Sequence, residues 1–275
     1  MSTLKPKKRL GQVFLKNKTF LSKIVQAGGI SSKDTVLEIG PGTGILTEAL
    51  LKIGAKVLAI EKDPQLVTFL KEKFKTNKNL TVIQADIRDF IRNQEFKNSK
   101  LKIKNYKVVG NIPYYLTSYL LKLILELEKK PEIIVFMIQK EVAQRIIAKS
   151  PKMNLLAVSV QFFAKPEIIV SVPKTAFYPQ PKVDSIIIKL TPYSHSIIAS
   201  DETLPASRQE SQFFKIVKAG FSHPRKLLIS NLSQSLKIPR EQLQETFSKI
   251  GLSFNTRAQN LSLKDWGNLV QFLFA

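Results

Sequence analysis

Asn111, Pro113, Tyr114 and Tyr115 follow directly on an apolar run in the stretch KVVGNIPYYLTS, residues 107–118. Val108 and Val109 read as the end of a buried strand, and an amide, a proline and two phenol rings are an odd sequel to one. The side-chain oxygen of Asn111 is an acceptor for an exocyclic amine. Pro113 stiffens the turn, and the ring of Tyr114 offers a face on which any nucleobase can stack. Together these residues suit holding a base by its edge and its face at once. The plainer alternative is a rigid loop with a tyrosine packed into the core.

Three further stretches bear on that reading. LEIGPGTGILTEAL sets Gly40, Gly42 and Gly44 after a strand and before a helix, where glycine lets the backbone approach a ligand and the helix adds its first amides. The spacing is G-x-G-x-G rather than the dinucleotide G-x-G-x-x-G, and taken alone it fits a tight turn equally well. Glu61 ends the next strand about twenty residues past the first glycine, where an acid can accept from both hydroxyls of an adenosine ribose. Asp86 closes the third strand, and a carboxylate there can accept from the exocyclic amine of an adenine. Each acid alone also reads as a solvated strand end. In an open α/β sheet, however, ligands bind outside the carboxyl ends of the strands, so Gly40, Glu61, Asp86 and Asn111 fall on one rim.

The elements that must position them alternate through the first two-thirds of the chain. Strands are expected at 35–40, 56–61, 80–86, 106–111 and 132–138, with amphipathic helices in ILTEALLKIG, PQLVTFLKEKF and LTSYLLKLILELEKK. KPEIIVSV and VDSIIIKL read as two more strands that complete the sheet as a hairpin-like addition. The fold class is therefore α/β, a sheet with helices on both faces, plus a small C-terminal all-helical domain. The divisions expected are a sheet domain over 1–192 with a basic N-terminal arm, a polar linker over 193–211 and a helical domain over 212–275.

Composition narrows the chemistry. The chain has 275 residues, 44% of them hydrophobic, enough for a sizeable core, and a formal net charge of +22. That charge favours a polyanionic partner such as nucleic acid, and Lys5, Lys7, Lys8, Arg9, Arg225 and Lys226 are the candidates for phosphate contacts. With no cysteine and two separated histidines, His195 and His223, neither a thiol nucleophile nor a metal site is expected. No apolar run is long enough to span a bilayer, and LGQVFL is too short and polar for the core of a signal peptide, so a cytoplasmic protein is expected.

These motifs together resemble the ribosomal RNA adenine N6-dimethyltransferase family, most of all its small-subunit type, with the erythromycin-resistance methylases as the near alternative. The resemblance runs over nearly the whole chain: KKRLGQVFL, VLEIGPGTGILTEAL, VLAIEKD, IQAD, VVGNIPYYLTS, MIQKEVAQRI, TAFYPQPKVDS, FSHPRKLLISNL and RAQNLSL. It implies a Rossmann-like fold that uses S-adenosylmethionine, leaves S-adenosylhomocysteine, and dimethylates N6 of two adjacent adenosines near the 3′ end of small-subunit ribosomal RNA. That would be a late step of small-subunit assembly, by a monomer acting on RNA in the assembling particle. Carried over residue by residue, Gln12, Val13, Leu15, Gly40, Gly42, Glu61, Asp86 and Asn111 would contact the methyl donor. Asn111, Pro113 and Tyr114 would floor the target-base pocket, and Phe177 would stack on the base from the other side. The sequence departs from the family's pattern at Val13, where an asparagine is frequent, and at Pro224, where FSHPRK replaces a run richer in arginine.

Other readings stay open at this point. A DNA adenine-N6 methyltransferase uses a similar strand-end motif, and an RNA-binding assembly factor could keep the fold without the chemistry. A nicotinamide dehydrogenase would share the glycine loop but have no use for NIPYY.

Overall fold

The computed structural model describes residues 6–7, 10–93, 105–194 and 206–274, apart from the side chains of Tyr114, Ala206 and Ser207. Lys5, Lys8, Arg9 and His195 lie outside the described residues. The elements of the first part run β1 (Phe14–Leu15), α1 (Lys18–Ala27), β2 (Thr35–Ile39), α2 (Ile45–Lys52), β3 (Lys56–Glu61), α3 (Pro64–Lys73), β4 (Leu80–Gln84) and α4 (Ile87–Arg92). Then come β5 (Lys107–Asn111), α5 (Thr117–Leu125), β6 (Ile133–Gln139), α6 (Lys140–Ile146), α7 (Leu155–Gln161), β7 (Ala164–Val172), β8 (Phe177–Tyr178) and β9 (Ser185–Pro192). Four helices follow: α8 (Ala206–Gly220), α9 (Leu228–Leu236), α10 (Arg240–Lys249) and α11 (Leu263–Phe274).

Seven strands form one sheet in the order β4-β3-β2-β5-β6-β9-β7. From β4 to β6 neighbours are parallel, and β9 lies antiparallel on β6 with Gln139 opposite Ser185. The expected α/β class is met, including the late pair β7 and β9 as neighbours. The middle strands read as nearly unbroken apolar runs because both faces are covered: Val36, Leu37, Leu58, Ala59, Val108 and Val109 are all buried. Register then fixes the rim. Ile39 stands beside Ile60 and Gly110, Glu61 beside Gln84, and Asn111 beside Met137, so four strands end level with one another. The strand order reverses between β2 and β5, which is where an open sheet parts to leave a crevice.

Local signals set the helix starts. Asn17 accepts from the Thr19 N–H to cap α1, Asp63 accepts from Gln65 with Pro64 in the first turn of α3, and Asp86 accepts from Arg88 at the head of α4. β4 stops at Gln84, two residues short of the expected 86, because Asp86 has already turned to cap the next helix.

Two compact units emerge, one of 1–143 with 166–192 and the other of 144–165 with 193–275. The helical unit is thus larger than the expected 212–275, and α8 begins at Ala206, inside the stretch read as linker. The physical reason is aromatic: the Phe162 ring stacks on Phe213 at 4.5 Å between centroids and meets Phe214 at 5.0 Å, which binds 144–165 to α8. Within this unit Trp266 is buried against Gly220, where any Cβ would collide with the indole.

Candidate active site

The glycine loop turns between β2 and α2 with Gly42 at φ +58°, a left-handed conformation that side chains resist. A Cβ on Gly42 would also meet the Phe14 ring at 3.2 Å. The Gly42 N–H donates to Glu61 Oε2 at 3.2 Å, and the Asp63 N–H donates to Glu61 Oε1 at 2.9 Å. Two backbone amides thereby aim a buried carboxylate, and each oxygen keeps a second lone pair for a ligand hydroxyl. Burial pushes the Glu61 carboxyl above its usual range, against the pull of those amides.

Asn111 ends β5 one residue past Gly110, which is small by necessity, since a Cβ there would lie 2.6 Å from the Ile39 carbonyl oxygen. The Asn111 Nδ2 donates to the Val13 carbonyl at 2.9 Å. That bond fixes the amide's orientation and leaves Oδ1 as its acceptor. Val13 therefore contributes through its main chain, which the replacement of asparagine by valine does not alter. Gln12, Val13, Leu15, Gly40, Gly42, Glu61, Asp86, Asn111 and Pro113 all border a single cleft at this rim.

With that cleft described, the family model for ribosomal RNA adenine dimethylase matches residues 3–274. The chain belongs to the ribosomal RNA adenine dimethylase family. It is 40% identical over 268 residues to a ribosomal RNA small subunit methyltransferase A of Dehalococcoides mccartyi, covering 96% of this chain and 87% of the relative. It is 38% identical to the protein of the same description from Caldanaerobacter subterraneus, with 98% of each covered. Among solved structures it resembles a dimethyladenosine transferase from Plasmodium falciparum, with TM-score 0.74, 27% identity and 93% of this chain and 95% of that one covered. The 23S rRNA methyltransferase ErmE shares the fold, with TM-score 0.73, 24% identity and 95% and 100% covered.

In this adenine dimethylase the expected site residues are not equally placed. Asp86 borders the cleft, but Arg88 grips it with Nε on Oδ1 at 2.9 Å and Nη2 on Oδ2 at 2.6 Å. Its own backbone cap and Lys62 Nζ at 2.9 Å take the remaining acceptor positions. The Arg88 guanidinium holds the carboxyl well below the usual carboxylate range. Acceptance of an adenine amine by Asp86 therefore requires a partner to withdraw, and Lys62, half exposed, is the weaker one.

Phe177 does not meet its expected role. It is 2% exposed, faces Leu15 across the β1–β8 pair and packs in the core with Leu21 and Ile24, so its ring is not open to the cleft. The open ring at the mouth is Tyr115, 64% exposed, while the Tyr114 side chain lies outside the described part. Lys7, expected on phosphate, is instead ion-paired: its Nζ is 2.7 Å from Asp63 Oδ1. Gln12 Nε2 donates to Asp63 Oδ2 at 3.1 Å, and the Lys7 N–H donates to Gln12 Oε1 at 2.8 Å. Despite its burial, Asp63 is held below the usual carboxylate value by Lys7 and Gln12. This latch fastens the arm over the cleft and was not anticipated; the visible signal was only Asp63-Pro64 as a helix start. Arg225 and Lys226 sit exposed in the turn after α8, which Asn231 ties down through Nδ2 bonds to the Gly220 and His223 carbonyls at 2.7 and 3.0 Å.

Glu38, inside β2, was also missed. It is 1% exposed, accepts from the Thr47 hydroxyl at 2.7 Å, and burial, with Glu61 nearby, pushes its carboxyl up to about 7. The unfolded chain releases this proton near 4.5 and the folded one near 7, so the folded state holds it more tightly between those values. Stability therefore falls as pH rises through that window. Glu38→Gln is expected to raise the urea midpoint at pH 8, by up to about 3 kcal/mol in stability, with the gain shrinking towards pH 4.5. Urea unfolding at pH 5, 6, 7 and 8 checks the trend.

No group of three or more His, Cys, Asp or Glu among the described residues could hold a metal ion, and no helix among them is long and apolar enough to cross a membrane.

Proposed function

We propose that the chain transfers methyl groups from S-adenosylmethionine to N6 of adenosines in small-subunit ribosomal RNA, giving N6,N6-dimethyladenosine, as a cytoplasmic monomer acting on the assembling subunit. The observation that carries the reading is Asn111, whose amide is pinned through Nδ2 to the Val13 carbonyl, so that an acceptor stands at the same rim as the Glu61 carboxylate.

The donor set fits such a cofactor. Glu61, aimed by two amides, suits a pair of ribose hydroxyls; Gly40 and Gly42 let main chain come close; and Asp86 suits an amine once Lys62 withdraws. When bound, S-adenosylmethionine supplies a methyl group already activated by the positive charge on its sulfur. What the protein must add concerns the acceptor. Adenine N6 is a poor nucleophile because its lone pair is delocalised into the ring. Asn111 Oδ1, accepting a hydrogen bond from N6, holds that nitrogen in line and favours its rehybridisation, with no general base among its duties. Positioning of this kind supplies roughly 7 to 11 kcal/mol in favourable cases. The base must first leave its stack, at about a few kcal/mol.

Labelled-methyl transfer to purified small and large ribosomal subunits lacking adenine methylation tests the choice of substrate. Label in the small subunit alone is expected. Label in the large subunit alone would move the activity to that RNA, and RNA binding with label in neither would favour an assembly factor.

A further inference from the structure

Against the mouth of the cleft lies a second depression, lined by Arg88, Asp89, Arg92, Tyr115, Leu116 and Tyr119. Its walls are two short helical faces. Arg88 and Arg92 stand one turn apart on α4, while Tyr115 lies in the single 3-10 turn Tyr114–Leu116 that leads into α5 and Tyr119 lies in the first turn of α5. The Arg92 guanidinium lies 5.4 Å from the centre of the Tyr119 ring. Tyr115 is 64% exposed and Tyr119 37%. Arg88, Tyr115 and Leu116 also border the cleft, so the two spaces share that wall.

Open phenol rings beside a guanidinium are what single-stranded nucleic acid uses: a base stacks on the ring whatever its identity, and the cation meets the phosphate. Arg88 is committed to Asp86 through two bonds, so Arg92 is the cation on this wall suited to a phosphate. Asp89 repels a phosphate but offers an acceptor to a base edge. A chain of net charge +22 makes an RNA strand the natural occupant. We infer that this depression is a nucleotide subsite, which holds the RNA nucleotide flanking the target base with its base against Tyr115 and Tyr119 and its phosphate on Arg92. The inference rests on the proposed reading that an RNA base enters the cleft.

The test needs no methyl transfer, so it stands apart from the substrate assay, whose failure would count against the proposed function alone. A fluorescein-labelled single-stranded oligoribonucleotide is titrated by anisotropy against the wild-type chain, Tyr119→Leu, Tyr119→Phe and Arg92→Gln across a salt series. S-adenosylhomocysteine affinity by calorimetry serves as the control. Tyr119→Leu and Arg92→Gln are expected to bind the oligonucleotide about five- to tenfold more weakly, with Tyr119→Phe restoring affinity because the ring is kept. Arg92→Gln should also reduce the slope of log affinity against log salt by about 0.7, as one lost phosphate contact on a single strand would. Unchanged oligonucleotide affinity and slope in both variants would overturn the inference. So would a parallel loss of S-adenosylhomocysteine affinity, which would mark the two residues as structural.

Discussion

Asn111→Ala transfers methyl groups about a hundred- to a thousandfold more slowly than the wild-type chain in single-turnover assays, while its affinity for S-adenosylhomocysteine falls far less. The size follows from what is lost. A preorganised polar group aimed at the reacting atom is worth about that factor when removed, and Asn111 is preorganised by its own second bond, Nδ2 to Val13 at 2.9 Å. Asn111→Asp sharpens the point. It keeps an acceptor towards N6 but turns an oxygen against the Val13 carbonyl, so it recovers only part of the rate and loosens the arm. A variant with wild-type rate at saturating RNA would contradict the role assigned to the amide.

Glu61→Gln is expected to weaken S-adenosylhomocysteine binding about a hundredfold, which corresponds to the loss of one hydrogen bond to a charged acceptor. The carboxylate accepts from Gly42 and Asp63 with one oxygen each. A glutamine in its place must turn its NH₂ towards one of those N–H groups, so the substitution disturbs the glycine loop as well as the ligand contact. Calorimetry reads the affinity directly, and circular dichroism melting separates that loss from unfolding. Affinity equal to the wild type's would remove Glu61 from the ribose site.

Both predictions concern residues that were legible from sequence, and the reason is topological. A parallel strand's last residue must lie at the rim whatever the details of packing, so Glu61 and Asn111 could be placed from periodicity and glycine punctuation alone. What could not be read depends on partners far away in the chain. The Lys7–Asp63 ion pair joins residues 56 apart in sequence, and nothing local tells a solvated lysine from a latched one. Asp86 looked available for a ligand because Arg88, two residues on, gave no sign that it would fold back on it. Phe177 looked like an open stacking face, yet the pairing of β1 with β8 buries it opposite Leu15, and strands of two residues each are too short to carry a period. The helical unit reaches beyond 212–275 for the same reason, since its hold on 144–165 runs through the stacking of Phe162 with Phe213 and not through any boundary signal. Glu38 was readable in principle: an acid in the middle of TVLEI has no water to face, and it takes Thr47 as partner with a raised affinity for its proton.

This rim is expected to present N6 of an RNA adenine to a methyl donor twice. The most direct measurement is the mass of the modified nucleoside released by digestion of small-subunit RNA after reaction with S-adenosylmethionine. N6,N6-dimethyladenosine, absent when Asn111→Ala is used over the same time, is the predicted product. A methyl group on any other nucleoside, or at another position of adenosine, would contradict the account.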